Sequence, residues 1–552
     1  MELALNAAQF SYTAAEKPQL SVDALSLSSG THWALVGPNG SGKSTLLQLL
    51  AGRFAPQQGL LTLDGNTFGQ DLQPSQFFQQ VAFASQDAEA SIVASLIEDE
   101  VAFGPRNLGL APTLVQQRVR AALNAVGLGS IASHRTDALS GGQLQRLQLA
   151  GLLALHPQFL LLDEVTSSLN AAAAQTIRQL LYKGDPAACG QLLSTHDIVE
   201  VCQAQQVVLM YEGRIQRVLS PQQLFEDEAL WCLMGYHRSF LGQAARALAL
   251  THKPVAAITN PKSCIQAWHQ ACFPVPSMPS HATSHPAPEG LTLHKVTLAS
   301  ETGVLLKDVS FSVPAGQITL LLGASGAGKT CTCRVAAGLL AADKGQASLQ
   351  GMPVKAGMVA YSAQRSEDML FCDQVAEDVA YGPRLAGLSG EALRMRVEEA
   401  LAAVGLDESL ALRSPYELSG GQRRKAALAA VIAQQAPALI CDEPCANLDP
   451  QGVVQVVKAL AAQASAGAAV LVTTHDPEPW LQVAHQAVIL ETGAVIWQGS
   501  PYELVAQAPL ASSAAGEPLS LRLRRQLAAG RESHPAKLQS LSNSPNTGEG
   551  AL

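Results

Sequence analysis

The stretch GPNGSGKS at residues 37–44 decides the fold, because a short apolar run at residues 33–36 leads straight into it. A buried strand, a glycine-rich turn and a helix in this order are the context in which GxxxxGK[ST] forms a phosphate-binding loop. The glycines let backbone N–H groups wrap phosphate oxygens, and the positive end of the following helix faces them. We therefore expect Lys43 to reach nucleotide phosphates and Ser44 to hold magnesium.

The same ordered set of motifs occurs twice along the chain. The glycine loop returns as GASGAGKT at residues 323–330, the pentapeptide LSGGQ occurs at residues 139–143 and 418–422, and a histidine follows each time, at His196 and His475. Because both the order and the spacing of the motifs are repeated, the sequence predicts a tandem repeat of one structural unit. The stretch after the glycine loop is shorter in the second unit, which predicts that a surface hairpin is trimmed there.

Length and composition predict two folded units. A chain of 552 residues exceeds what a single hydrophobic core supports. We expect nucleotide-binding domains at residues 1–237 and 290–511, a Pro-, Ser- and His-rich linker with little core of its own at 238–289, and a disordered tail at 512–552.

The bulk properties exclude some classes of protein. A net charge of -9 argues against nucleic acid as the main partner. No run of about 20 apolar residues is present, so we expect no membrane-spanning segment in the chain itself. The start lacks the basic region of a signal peptide, and the ten cysteines form no CxxC pair, which favours a reducing cytosol.

Two acidic pairs end apolar runs. Residues 159–162 lead into Asp163 and Glu164, and residues 438–441 lead into Asp442 and Glu443. We expect buried strands that end at the sheet edge where ligands bind. In each pair the aspartate would order the magnesium shell and the glutamate would polarise the attacking water. The alternative is an acidic pair that caps the next helix.

Four further polar side chains follow apolar strands. His196 and His475 are interpreted as contacts to the γ-phosphate, although an isolated histidine in such a place is more often a structural residue. Gln86 and Gln364 are interpreted as contacts to magnesium and water, with a solvent-facing glutamine as the alternative.

LSGGQLQR at residues 139–146 and LSGGQRRK at residues 418–425 resemble the signature of the ABC ATPases. A serine-capped helix would explain the serine but not the two glycines. The resemblance implies an α/β fold with two tandem P-loop NTPase (RecA-like) ABC ATPase domains. Each would carry a small antiparallel β subdomain and an α-helical signature subdomain.

The family resemblance also implies that the halves pair head to tail around two ATP molecules with Mg²⁺. Site one would join Lys43, Asp163, Glu164 and His196 to Ser419 and Gly421; site two would join Lys329, Asp442, Glu443 and His475 to Ser140 and Gly142. The residues expected to bind ATP are Tyr12, Gly37, Pro38, Asn39, Gly40, Ser41, Gly42, Lys43, Ser44, Thr45, Gln86, Ser140, Gly141, Gly142, Gln143, Gly323, Ala324, Ser325, Gly326, Ala327, Gly328, Lys329, Thr330, Cys331, Gln364, Ser419, Gly420, Gly421 and Gln422. Those expected to bind magnesium are Ser44, Gln86, Asp163, Thr330, Gln364 and Asp442.

A further pair of segments narrows the resemblance. IEDEVAFGPRNLGL at residues 97–110 and VAEDVAYGPRLAGL at residues 375–388 look like the region after the Q-loop in ATPases of energy-coupling-factor importers and related cobalt and nickel uptake systems. The likeness implies a peripheral protein at the cytoplasmic face of the membrane. Its partners would be a polytopic energy-coupling subunit and a substrate-capturing subunit for a vitamin, a vitamin precursor or a transition-metal ion.

Two alternatives within the same superfamily stay open. A tandem ABC protein acting on ribosomes or nucleic acid would also carry paired signatures without a membrane span, although such relatives tend to have highly charged connectors. A sugar-type importer ATPase is the other, although there one half is expected to have degraded catalytic residues.

Departures from the family pattern predict two competent but unequal sites. Tyr12 lies where the family stacks an aromatic ring on adenine, whereas the aligned position in the second half is Ser300. The loop after the first acidic pair ends in Asn170, and its counterpart ends in Asp449.

Overall fold

The computed structural model describes residues 1–12, 18–139, 141–167, 169–183, 189–274, 288–300 and 303–533. Within these ranges the chain forms two α/β halves with matching element order.

The first half contains strands along the described residues: β1 (Glu2–Phe10), β2 (Leu20–Ser28), β3 (His32–Val36), β4 (Gln58–Leu63), β5 (Asn66–Thr67), β6 (Val81–Ala84), β7 (Phe159–Asp163), β8 (Gly190–Ser194), β9 (Gln206–Tyr211) and β10 (Arg214–Leu219). Its helices, with those of the segment that follows, are α1 (Lys43–Leu50), α2 (Pro74–Gln80), α3 (Ile97–Asn107), α4 (Pro112–Ala125), α5 (Gly141–Leu155), α6 (Ala171–Lys183), α7 (Ile198–Gln203), α8 (Pro221–Glu226), α9 (Glu228–Leu233), α10 (Phe240–Leu250) and α11 (Pro261–Gln270).

The second half repeats the pattern with β11 (Leu291–Ser300), β12 (Gly303–Val313), β13 (Ile318–Leu322), β14 (Lys344–Leu349), β15 (Met352–Pro353), β16 (Ala360–Ser362), β17 (Ala438–Asp442), β18 (Ala469–Thr473), β19 (Gln486–Glu491) and β20 (Ala494–Gly499). Its helices are α12 (Lys329–Ala336), α13 (Val375–Leu385), α14 (Gly390–Ala403), α15 (Gly420–Ala433), α16 (Pro450–Ser465), α17 (Pro501–Gln507) and α18 (Leu519–Ser533).

Each half is built on a mainly parallel sheet whose centre carries the glycine loop. The strand orders are β6-β7-β8-β3-β9-β10 and β16-β17-β18-β13-β19-β20. The last strand in each order runs antiparallel to its neighbour: β10 to β9 in the first half, and β20 to β19 in the second. The inner strands are buried throughout, as β7 and β13 illustrate. In the first half, one face of the sheet packs against α1 and the strands β1, β2 and β4, and the other face packs against helices. The carboxyl ends of β3, β7 and β8 therefore meet at one edge.

Two smaller layers complete each half. Antiparallel strands in the orders β5-β4-β1-β2 and β12-β11-β14-β15 form the β subdomains. In the first half, pairing of β2 with β10 joins the β subdomain to the main sheet, so that ten strands form one sheet, whereas the two sheets of the second half are separate. Helices α3, α4 and α5, and likewise α13, α14 and α15, pack together around an apolar core as the helical subdomains. The expected fold class is thereby confirmed.

The turns and helix caps also agree with the sequence. Glu212 and Gly213 have φ of 46° and 72° and join β9 to β10 as a tight hairpin. Ser220 and Ser500 cap α8 and α17 through reciprocal bonds with the third helical residue, and a proline opens each helix.

The trimmed element in the second half is a helix, so the prediction of a lost hairpin is wrong. Both β4–β5 and β14–β15 pair as hairpins. Helix α2 precedes β6, whereas the described residues 354–359 between β15 and β16 contain no helix. The prediction rested on the shorter sequence alone. A missing hairpin and a missing helix shorten the sequence in the same way, so length could not distinguish them.

The expectation that residues 238–289 have little core is wrong for α10 and α11. Phe240 and Trp268 are buried, and their ring centroids lie 5.1 Å apart. The expected disorder from residue 512 is likewise wrong for α18, whose Leu523 and Leu527 are buried in the same apolar cluster. Residues 275–287 and 534–552 lie outside the described residues, and the domain boundaries themselves stay a prediction.

No helix in the described part of the chain combines the length and the apolarity needed to cross a bilayer.

Candidate nucleotide-binding sites

Both glycine loops form the same backbone cradle. A Cβ atom on Gly37 would lie 2.4 Å from the carbonyl oxygen of Met210, and one on Gly323 would lie 2.3 Å from that of Leu490. Only glycine lets these loops lie against β9 and β19. The loops run into α1 and α12, which begin at Lys43 and Lys329, so the unpaired N–H groups of each first turn face the cradle.

The two loop lysines are buried and hold the cradle in shape. Lys43 Nζ donates to the carbonyl oxygens of Gly37 (2.8 Å) and Pro38 (3.2 Å). Lys329 Nζ donates to those of Gly323 (2.8 Å) and Ala324 (3.1 Å). Burial lowers the pKa of both lysines, although neighbouring carboxylates oppose the shift. Each ammonium is thus held by neutral carbonyls that an anionic ligand can replace.

The acidic pairs lie at the carboxyl ends of β7 and β17, as the sequence predicts. Glu164 and Glu443 have φ of 49° and 55°, a left-handed conformation that is costly for a residue with a side chain. This turn directs each glutamate away from the strand immediately after the aspartate. Strain of this kind concentrates at functional sites.

Oxygen atoms suited to magnesium surround each aspartate. Asp442 Oδ2 accepts from Thr330 Oγ1 at 2.7 Å, and Asp442 Oδ1 accepts from Thr473 Oγ1 at 2.5 Å. In the first half, burial raises the pKa of Asp163, and the nearby Ser44 hydroxyl opposes that shift. Carboxylate and hydroxyl oxygens of this kind fit Mg²⁺, which prefers hard oxygen ligands and keeps several waters.

The first site groups a glutamate, a glutamine and a histidine. Gln86 Nε2 donates to Glu164 Oε2 at 3.2 Å, and His196 Nε2 lies 3.4 Å from Glu164 Oε1. Burial raises the pKa of Glu164 to about 7, although the charge of Lys43 opposes the shift. Burial and Lys43 together lower the pKa of His196.

The second site is arranged differently. His475 Nε2 lies 2.9 Å from Glu443 Oε1. Burial of Glu443 opposes ionisation, but the charges of His475, Lys329 and Arg424 outweigh it, so the pKa of Glu443 is lowered. Among the described residues no hydrogen bond joins the exposed Gln364 side chain to Glu443; the Gln364 carbonyl oxygen accepts from Arg424 Nη2 at 3.0 Å.

The second LSGGQ segment lies against the first glycine loop. Ser419 caps α15 and exchanges hydrogen bonds with Gln422 at 3.3 and 3.0 Å. A Cβ atom on Gly421 would lie 2.7 Å from Asn39 Nδ2, so no side chain fits between them.

The first LSGGQ segment is placed less closely. Gly141, Gly142 and Gln143 open α5. Within the described residues, only Leu169 comes within 4 Å of a Cβ atom built on Gly142. Ser140 lies outside the described residues. The structure thus brings together the glycine and signature residues expected for site one, and does not bring Gly142 to the loop of Lys329.

Asn39 is the residue that sequence reasoning undervalued. Its backbone N–H donates to Asp449 Oδ2 at 3.0 Å, and its Nδ2 donates to the Asn447 carbonyl oxygen at 3.2 Å. Its Oδ1 lies 3.2 Å from His196 Nε2. From the sequence, Asn39 is expected only to be one of the ATP-binding residues of the glycine loop. The sequence feature that points to its second contact is the difference between Asp449 and the matching Asn170.

Tyr12 lies at the edge of the first cradle. Its hydroxyl is 3.0 Å from Thr45 Oγ1, and its ring is 56% exposed, with Phe10 and Phe54 edge-on to it at 5.0 and 5.6 Å. An aromatic face in this position suits a nucleobase. Ser300, at the aligned place, donates its hydroxyl to the Gly303 carbonyl oxygen at 3.2 Å.

A cavity of about 310 Å³ opens between the two sites. Its lining includes both glutamates and both histidines, Glu164, His196, Glu443 and His475, together with Leu519 at the start of α18. The reactive edges of the two halves therefore share one space.

Comparison with known proteins agrees with this geometry. The sequence profile described as "ABC transporter" matches residues 20–167 and 306–446. A Bifidobacterium longum protein named as an ABC transporter ATP-binding protein is 33% identical over 532 residues, which span 92% of this chain and 67% of that protein. A Streptomyces coelicolor protein with the same type of name is 28% identical over 537 residues, 90% of this chain and 94% of the relative.

A solved structure, described as the dimeric structure of a bacterial ABC transporter cassette, matches 38% of this chain and 98% of its own length at 23% identity, with a TM-score of 0.36. The profile covers more than half of the chain, in both halves. With its paired phosphate cradles, acidic pairs and LSGGQ segments, the chain belongs to the ABC transporter family of ATP-binding proteins and is a tandem ATPase.

Proposed function

We propose that this chain is the ATP-hydrolysing subunit of a membrane importer of the energy-coupling-factor type, bound to the cytoplasmic face of the membrane. Its cargo would be a vitamin, a vitamin precursor or a transition-metal ion. The observation that carries the proposal is exposed apolar surface on the helical subdomains, in the two segments that resemble those importers and at Phe371, just before the second of them.

In this proposal, the exposed apolar residues of the helical subdomains receive the membrane subunit. In the second half, Phe371 and Tyr381 are 64% and 43% exposed, and their ring centroids lie 5.0 Å apart. Leu385, at the end of α13, is 76% exposed, and Phe103 of α3 is 50% exposed. Exposed apolar groups clustered in this way mark interaction sites, whereas single ones need no explanation.

Hydrolysis in the proposed mechanism needs both halves. Lys43 and Lys329 would contact the β- and γ-phosphates, and the LSGGQ segment of the opposite half would close over them. Glu164 and Glu443 would polarise the water that attacks the γ-phosphorus, with breakage of the bond to ADP and release of phosphate. His196 and His475 would orient the γ-phosphate.

Magnesium would be held by the hydroxyl and carboxylate oxygens of Ser44 with Asp163 and of Thr330 with Asp442, helped by Gln86 and Gln364; when bound, it neutralises phosphate charge. Transport requires that ATP favour the closed form. Shifting a two-state equilibrium from 1:99 to 99:1 takes about 5.5 kcal/mol of differential binding. In the proposed mechanism, two triphosphates contacted from both halves by charge-assisted hydrogen bonds supply that free energy.

The test is affinity purification of the tagged chain from membranes of its own cell in mild detergent, with mass spectrometry of what remains bound. We expect a polytopic membrane protein and a second, substrate-capturing membrane protein. The double substitution Phe371→Ser, Tyr381→Ser should release both. A matched control, Met352→Ser, changes a 56% exposed apolar residue on the β subdomain and should keep them.

Two results would overturn the proposal. One is salt-sensitive retention of RNA in place of membrane proteins, which would favour action on ribosomes or nucleic acid. The other is full retention of the membrane proteins by the double variant, which would remove the surface on which the proposal depends.

A further inference from the structure

We propose that Asn39 is a positioning residue through which the second half sets the His196–Glu164 pair, so that hydrolysis at the first site depends on closure of the halves in a way that the second site does not. This inference concerns hydrolysis by the chain alone and does not depend on a membrane partner.

Asn39 makes a bridge across the two halves. Two of its donors are used by the 447–449 turn of the second half: its backbone N–H by Asp449 and its side-chain Nδ2 by the Asn447 carbonyl oxygen. Asn447 has φ of 59°, which turns that carbonyl toward the first half. The remaining polar atom, Oδ1, lies 3.2 Å from His196 Nε2. The second half is therefore connected to His196 through two successive hydrogen bonds, both made by the Asn39 side chain.

The bond to Asn447 fixes which end of the Asn39 amide faces the histidine. A backbone carbonyl oxygen only accepts, so the group opposite it is the NH₂, and the oxygen is directed at His196. An amide oxygen also only accepts, so His196 carries its proton on Nε2. That N–H points between Asn39 Oδ1 and Glu164 Oε1, at 3.2 and 3.4 Å. Without the bond to Asn447, the Asn39 amide could rotate by about 180° and present its NH₂ group to His196. The His196 proton would then no longer be held on Nε2.

The second half cannot receive the same bridge from the first. Asp449 has two acceptor oxygens: Oδ1 caps α16 by accepting from the Gly452 N–H at 2.7 Å, and Oδ2 accepts from Asn39. Asn170 has one acceptor, Oδ1, which accepts from the Ala173 N–H at 2.9 Å. Its other atom, Nδ2, is a donor and would face another donor in the Ser325 backbone N–H.

The second glycine loop also lacks the side chain that makes the bridge. Ser325 replaces Asn39 and is exposed, and among the described residues no hydrogen bond joins it to the first half or to His475. His475 instead lies 2.9 Å from Glu443, against 3.4 Å in the first site. In the part of the chain that the structure describes, the second pair is thus contacted from its own half, whereas the first is also contacted across the interface.

The test uses single-turnover ADP formation by the purified full chain. In a Glu443→Gln background only the first site hydrolyses, and in a Glu164→Gln background only the second. Asp449→Asn keeps the helix cap, since asparagine caps as well as aspartate, but removes the acceptor for Asn39. Misplacing a catalytic pair costs rate, so we expect a loss of about tenfold to a hundredfold at saturating ATP in the first-site background.

Four results separate positioning from a general structural effect. The loss should be at least about fivefold larger in the first-site background than in the second-site background, and the half-saturating ATP concentration should change by less than about threefold. Asn39→Ser should reproduce the loss, and the double variant should lose little beyond the larger single loss, because both changes break one bridge. Asp407→Asn makes the same chemical change at an exposed cap in the helical subdomain and is the matched control.

Equal losses in the two backgrounds would overturn the inference, since a general defect in closure affects both sites. Losses that multiply in the double variant would also overturn it, as would a loss that appears only as weaker ATP binding. Circular dichroism checks that each variant is folded, and Asn39→Ser decides the question should Asp449→Asn unfold.

Discussion

Glu164 and Glu443 occupy matching positions in opposite electrostatic surroundings. Burial raises the pKa of Glu164 to about 7, and the charge of Lys43 opposes that shift without cancelling it. At Glu443 the same burial is outweighed by His475, Lys329 and Arg424, so the pKa of Glu443 is lowered. A carboxyl group polarises water only when ionised. The two glutamates are therefore identical in sequence but have pKa values shifted in opposite directions.

This difference predicts a pH dependence confined to one site. Between pH 8 and pH 6 the ionised fraction of a group with a pKa near 7 falls about tenfold, so kcat/KM of the first site should fall about tenfold as the pH is lowered. The second site, with a lowered glutamate pKa, should stay nearly flat over this range. ADP formation in the Glu443→Gln and Glu164→Gln variants measures each site separately.

Titration of ATP itself affects both variants alike, so the ratio of their rates isolates the glutamates. Parallel pH profiles would show that the two carboxyl groups titrate together once nucleotide is bound. A profile that rises toward acid pH in the first site would contradict the proposed role of Glu164 as base.

At the scale of elements, α18 contacts both the second half and the segment that follows the first half. Leu521 packs into the core of the second half, whereas Leu523 and Leu527 pack with α10 and α11. Arg524 donates to Glu478 of the second half at 2.7 Å, and its guanidinium lies 5.0 Å from the ring centroid of Phe240. The helix therefore ties the segment after the first half to the second half.

Truncating one buried leucine should release this tie. Leu523→Ala removes apolar contacts and leaves a cavity, which costs about 2–5 kcal/mol of docking free energy at a fully buried site. We expect hydrogen exchange of the α18 amides to become faster by at least tenfold, while amides of β13 and β17 keep their protection. Gln526→Ala, on the exposed face of the same helix, is the control and should leave exchange unchanged.

Unchanged protection in Leu523→Ala would mean that α18 is held by its remaining contacts, chiefly those of Arg524 and Leu521. Faster exchange throughout both sheets would mean instead that the helix is part of a single cooperative unit.

The same elements show what the sequence could and could not predict. Strands β3, β7, β13 and β17 were predictable because apolar runs ended in fixed chemical motifs within a few residues. Helices α10, α11 and α18 were not, because Trp268 and Leu523 are about 250 residues apart in sequence and belong to one apolar cluster that forms only when distant segments pack together. The Asn39–Asp449 bond escaped for the same reason, since spacing within a motif carries no information about a contact between halves.

At the scale of the whole molecule, the covalent link matters more than the surface contacts between the halves. Arg365 lies 3.2 Å from Glu89 and 3.6 Å from Asp87 across the interface, but its side chain is 56% exposed. An exposed ion pair contributes about 0–1 kcal/mol. Joining the halves in one chain gives each half an effective concentration of the other in about the millimolar range. This favours association of the halves more than an exposed ion pair does.

Hydrolysis should therefore be independent of protein concentration. The cradle of Lys43 and the LSGGQ segment of Ser419 belong to one chain, and Gly421 already lies against Asn39. We expect the ATPase rate per chain to stay constant on dilution from micromolar to nanomolar protein, with a monomer mass by light scattering at the upper concentration. A variant carrying Glu164→Gln and Glu443→Gln is the blank at every dilution. A rate per chain that falls with dilution would mean that the working interface forms between two chains, and the sites would then have to be reassigned across them.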